Sequence, residues 1–97
     1  MQTVVQQTKA YMGKFGGYYS DWYAGIAADA KDRLFNGHGV CDTSGTWIYH
    51  DCGTDTTARQ VEDHFLRLGC KGGPGGGNLN AQSKYFYVYR ITPQTRE

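Results

Sequence analysis

The chain has 97 residues, which suits one hydrophobic core and excludes two. Its net charge of +1 with histidine neutral excludes a protein that holds nucleic acid through a general basic excess, so phosphate contact falls to a local patch. Aromatic residues make up 14% of the chain, with eight tyrosines, and their large rings compensate for a modest 39% hydrophobic content.

Residues 1–14 hold an N-terminal helix. Thr3 can cap it, and Val4, Val5, Tyr11 and Met12 fall on one side up to Met12. Gly16-Gly17 ends that element. Tyr18 to Ala27 is rich in aromatics and reads as a strand with a turn at Ser20-Asp21. A short helix follows, with Asp29 as its N-cap, Asp32 near the positive end of its dipole and Gly37 at its close. Leu34 and Phe35 then face the core, which leaves Lys31 and Arg33 to solvent or a ligand. Lys31, Arg33, Arg59, Arg67 and Lys71 are the candidates for a basic patch, and solvated helix faces are their ordinary fate.

After a loop from Gly37 to Thr46, Trp47-Ile48-Tyr49 has the composition of a brief strand. Asp55, Thr56 or Thr57 caps a longer helix in which Ala58, Val61, Phe65, Leu66 and Leu68 repeat at helical spacing, and Gly69 stops it. Glu62 lies at the border of that buried face, where a carboxylate can line a cleft or simply meet water. The stretch Lys71 to Asn78 is dominated by glycine. Its consecutive N–H groups suit an anion cradle, and its composition suits a connector equally well, but it lacks the P-loop pattern. Lys84 to Ile91 alternates as a strand with Tyr85, Tyr87 and Tyr89 on one side, and Thr92 to Glu97 forms a loose tail.

Cys41, Cys52 and Cys70 form no C-x-x-C pair, and their odd count argues against a disulfide framework. No signal peptide or transmembrane run is evident, so a reducing cytoplasm and no membrane partner are expected. Zinc held by Cys41, His50, Cys52 and Cys70 is chemically allowed. The spacing matches no compact ligand motif, however, and buried free thiols are the expectation. Together the elements predict a single α+β domain: a small, mostly antiparallel sheet of roughly three to four strands flanked by about three helices.

Placed on these elements, several residues resemble the GIY-YIG endonuclease superfamily in compact form. Tyr23-Ala24-Gly25 resembles the YIG half of the signature. Asp29 to Leu34 is similar to the helix that follows it, with Arg33 at the position of the catalytic arginine. His38 falls near the usual histidine, one residue late. Ala58-x-x-x-Glu62 is similar to the A-x-x-x-E pattern whose glutamate holds a divalent metal, Trp47 to Tyr49 resembles the third strand, and Asn78 resembles a late asparagine. The GIY strand itself, which carries a catalytic tyrosine in the family, is not recognisable upstream. Tyr18 or Tyr19 fills that role, or it is empty. The likeness of Tyr89-Arg90-Ile91 to a GIY strand displaced to the C-terminus reads as coincidence.

The resemblance implies hydrolysis of DNA phosphodiesters with Mg2+ or Mn2+ on Glu62. Arg33 would clamp the phosphate, and Tyr23 or His38 would orient or deprotonate a water. Tyr18, Tyr19, Lys31, Gly75, Gly76, Gly77 and Asn78 are the candidate phosphate or ligand contacts. Two other readings stand beside it. One is a non-catalytic module that binds a nucleotide or nucleic acid, such as a small phage-type inhibitor of host nuclease or signalling defence. The other is a protein–protein interaction domain or homodimer that uses the Tyr85, Tyr87 and Tyr89 face as an exposed patch.

Overall fold

The structure is a computed structural model that describes residues 2–41, 45–72, 84–93 and 95. Helix α1 runs Gln2–Phe15 and β1 Trp22–Ala27, with one 3-10 turn, Tyr19–Asp21, between them. Helix α2, Ala30–Asp32, continues into a widened turn over Arg33–Gly37. Strand β2 (Trp47–Asp51), helix α3 (Asp55–Leu68) and strand β3 (Tyr85–Arg90) complete the order. The α+β expectation holds, with a three-stranded antiparallel sheet in the order β1-β3-β2. The last strand in sequence is therefore the central one.

Register fixes what each face carries, because side chains alternate across a strand. Tyr23, Gly25 and Ala27 of β1 stand opposite Tyr89, Tyr87 and Tyr85 of β3, and Trp47 and Tyr49 of β2 stand opposite Tyr89 and Tyr87. This tyrosine face packs under α2 with Ala30, Leu34 and Val40. The other face carries Trp22, Ala24, Ile26, Phe86 and Val88. It packs against Ala58, Val61 and Phe65 of α3 and Val5 and Met12 of α1.

Local chemistry explains most element ends. Asp29 does cap α2, its side chain accepting the Asp32 N–H. Thr54, not Asp55, Thr56 or Thr57, caps α3. Its hydroxyl reaches back to accept the Thr57 N–H at 3.1 Å, which places Asp55 inside the first turn, where a carboxylate favours the dipole. Gly69 closes α3 in the left-handed region at φ 119°. Leu66 and Leu68, expected in the core, are each 37% exposed, because the buried stripe of α3 is only as wide as Ala58, Val61 and Phe65. The cysteines are free thiols, but Cys41 is exposed in its loop and only Cys70 is buried. Among the described residues no helix is long and apolar enough to cross a membrane.

Candidate functional site

Tyr87 is the hub of the tyrosine face. Opposite it stands Gly25, and a β-carbon at that position would lie 2.5 Å from the Tyr87 hydroxyl. Glycine within a buried strand marks a close approach, and here it lets the phenol lie across β1. The hydroxyl is 2.8 Å from His38 Nε2 and also accepts a hydrogen bond from the Arg33 guanidinium. Tyr23 and Glu62 lie close enough for their charge to act on it.

His38 is clamped on both sides, with Nδ1 3.1 Å from the Tyr89 hydroxyl. A neutral imidazole has one donor and one acceptor nitrogen. With Arg33 donating to the Tyr87 oxygen, every group is served if Tyr87 donates to Nε2 and the Nδ1–H donates to Tyr89. The Tyr23 ring stacks on Tyr89 at 5.2 Å and lies 4.6 Å from His38, so imidazole and phenols form one packed unit. His38 is 5% exposed and Tyr87 and Tyr89 are fully buried.

The widened turn delivers His38 to this position. The His38 N–H donates to the Arg33 carbonyl at 2.8 Å, five residues back, so the turn holds one residue more than an α-turn would. Arg33 and His38 thus open and follow the same turn. Glu62 arrives from α3, behind the sheet, and is half-buried beside Val61. Burial pushes its carboxyl above the ordinary glutamate value. The Arg59 charge opposes that shift and the Asp63 charge adds to it. Burial likewise pushes the Tyr87 phenol from 10.0 up to about 12, against the Arg33 hydrogen bond that favours its anion.

The structure therefore brings Arg33 and His38 onto one hydroxyl and packs Tyr23 against His38 and Tyr89, while Glu62 acts on that hydroxyl only through its charge, from α3. It does not bring Tyr18 and Tyr19 there. Tyr18 is 80% exposed before β1, and Tyr19 packs on the apolar side of the sheet. Both instead line a small cavity with Lys9, Met12, Gly13, Gly16, Gly17 and Trp22 at the end of α1. Lys31 is exposed in the first turn of α2, on a cavity with Tyr49 and Tyr85. Gly75, Gly76, Gly77 and Asn78 lie outside the described residues.

Tyr85, Tyr87 and Tyr89 do share a face, but it turns inward, so they form no exposed interaction patch. Only Tyr85 is half-exposed. Tyr87 and Tyr89 are the site residues the sequence reading missed. The glycine at position 25, set in an otherwise bulky strand, was the available signal. Among the described residues no three His, Cys, Asp or Glu side chains stand together as a metal group. The carboxylate present is Glu62, half-desolvated, and a single carboxylate suits a hard cation that keeps its waters and borrows phosphate oxygens. Comparison with protein-family models, with curated proteins and with solved structures found no match for the chain.

Proposed function

We propose that the protein is a GIY-YIG-like, metal-dependent DNA endonuclease in which β3 stands in for the strand missing upstream. What carries this reading is the pair Arg33 and His38 on the Tyr87 hydroxyl, with the Tyr23 ring packed 4.6 Å from His38 and the Glu62 charge felt from α3. β3 runs antiparallel beside β1 with Tyr89 opposite Tyr23, and this pairing favours taking the GIY-like Tyr89-Arg90-Ile91 as more than the coincidence the sequence suggests. The one-residue offset of His38 is taken up by the widened turn from Arg33.

In this mechanism Arg33 clamps the scissile phosphate with its planar fork and offsets charge as it develops on the phosphoryl oxygens. Tyr23 orients the attacking water, and the proton that water loses passes into the cluster. His38 is the acceptor, since imidazole is the base there whose ordinary pKa lies near neutrality. The high pKa of Tyr87 argues against a standing phenolate, so this phenol gives up its proton to Nε2 only as it gains another. A divalent cation held by Glu62 would stabilise the pentacoordinate charge and the leaving oxygen.

The test is nicking of supercoiled plasmid with Mg2+ or Mn2+. Wild type should cut, and Glu62→Gln and Arg33→Lys should each lose on the order of a hundredfold in rate. Intact plasmid with both metals would sink the proposal. The second reading, a binding module that keeps the cleft without the reaction, is favoured by the single carboxylate. It predicts plasmid binding that neither metal nor Glu62→Gln alters.

A further inference from the structure

Beside the tyrosine–histidine cluster lies a row of rings that the reaction does not use. Phe35 meets Trp47 edge-on at 5.0 Å, and Trp47 and Tyr49 lie within 11° of parallel with centroids 6.0 Å apart. Tyr49 meets Tyr85 edge-on at 6.1 Å. All four are half-buried, unlike the sealed Tyr87 and Tyr89 one strand away. At the Tyr85 end the row opens into a cavity of about 340 Å³ lined by Ala28, Asp29, Ala30, Lys31, Tyr49 and Tyr85. That volume lies at the lower end of small-ligand sites and suits one flat heterocycle.

We propose that this row is a stacking platform for unpaired DNA bases, with one base seated in the cavity between Tyr49, Tyr85 and Lys31. The proposal deepens the nuclease reading by naming the form of the DNA, and it rests on that reading only for the fate of the bound strand. Charge arrangement supports the choice of occupant. Lys31 lines the cavity, and Lys84 Nζ lies 5.6 Å from the centroid of the Tyr85 ring, so two cations stand near these rings where phosphates would accompany bases. The ion pair of Lys84 with Asp51, at 3.7 Å with both side chains well exposed, is weak enough to exchange for a phosphate. Asp29 keeps one oxygen on the Asp32 N–H, and its other oxygen can accept from a base N–H such as thymine N3–H.

Position supplies the rest. Trp47 and Tyr49 stand directly opposite Tyr89 and Tyr87, so the platform is one strand spacing, about 4.8 Å, from the cluster. Arg33 belongs to the same turn as Phe35, the first ring of the row. In a duplex both faces of each base are already stacked, and the rings have nothing to receive. Unpaired bases stack on aromatic side chains whatever their sequence.

The experiment uses the intact chain in EDTA, so that binding is read without cleavage. Oligo(dT) of about 12 nucleotides should bind at least about tenfold more tightly than a duplex of the same length. It should also quench Trp47, while the buried Trp22 reports little. Tyr85→Ala should weaken binding on the order of tenfold, and Tyr85→Phe should keep it. Lys31→Glu, an exposed change with little risk to folding, should weaken binding and flatten its salt dependence. Failure of oligo(dT) to bind, equal affinity for the duplex, or an unchanged Kd in both Tyr85→Ala and Lys31→Glu overturns the proposal. Oligo(dT) binding with neither plasmid nor oligo(dT) cut in Mg2+ or Mn2+ would overturn only the nuclease reading, and nicking without oligo(dT) binding only the platform.

Discussion

The two faces of the sheet bury similar amounts of ring and solve different problems. Toward α3 the contacts are mostly apolar: Phe86 stacks on Phe65 at 5.3 Å, and Ile26, Val61 and Val88 fill around them. The polar exceptions, His50 Nε2 and His64 Nε2, are buried with no hydrogen-bond partner among the described residues. Toward α2 the same strands bury phenols and an imidazole, and each hydroxyl or ring nitrogen has to find a partner. An apolar face tolerates repacking and supplies cohesion. A buried polar network is cohesive only while complete, because a stranded donor or acceptor keeps its full desolvation cost. The chain thus draws most of its cohesion from one side of β3 and gathers its tyrosines and His38 on the other, with Glu62 the one candidate residue supplied from the α3 side.

That division can be broken in graded steps. Phe86→Ala removes a fully buried ring from the cohesive face and should cost about 3–5 kcal/mol, read by chemical denaturation. Gly25→Ala drives a methyl into the Tyr87 hydroxyl. It should cost about 1–3 kcal/mol and suppress plasmid nicking far more than that loss of stability explains. Tyr87→Phe keeps the ring but strands His38 Nε2, and should cost about 1–3 kcal/mol. A cost indistinguishable from zero would mean that the network adds no cohesion at all.

The smallest effect is the pH response of Glu62. Its carboxyl is raised in the folded protein, so the folded state binds more protons than the unfolded one between the ordinary value of 4.5 and its own higher pKa. Stability from this group is full below 4.5 and lost as pH rises through that window. Glu62→Gln should therefore flatten the curve, leaving the variant at neutral pH at least as stable as wild type. Steeper loss in the variant would contradict the burial that raises Glu62.

Local rules made the fold readable. The alternation of Lys84 to Ile91 gave β3, the Asp29 cap gave α2, and the spacing of Ala58, Val61 and Phe65 gave α3. Tyr23, Arg33, His38 and Glu62 were legible as candidates because motif spacing is local. What joins them is not. Placing β3 at the centre of the sheet is a long-range choice, and nothing in a run of alternating tyrosines distinguishes a solvent face from one sealed under α2. The widened turn was likewise hidden, since Arg33 to Gly37 carries no residue that demands it. Thr54 was overlooked as a cap because three stronger-looking neighbours follow it.

The short parallel bridge between Tyr23 and Lys71 bears on how this molecule behaves among copies of itself. The Ala24 N–H donates to the Lys71 carbonyl at 2.8 Å, and the Lys71 N–H to the Trp22 carbonyl at 2.9 Å, along the outer side of β1. At the opposite margin the Tyr11 hydroxyl accepts the Trp47 N–H at 3.2 Å. An open sheet of three strands has two margins where a neighbour's backbone could zip on, and each is occupied at its start by the chain's own atoms. A sheet whose margin strand β2 carries the half-buried rings Trp47 and Tyr49 can then remain free in crowded solution rather than seeding a fibril.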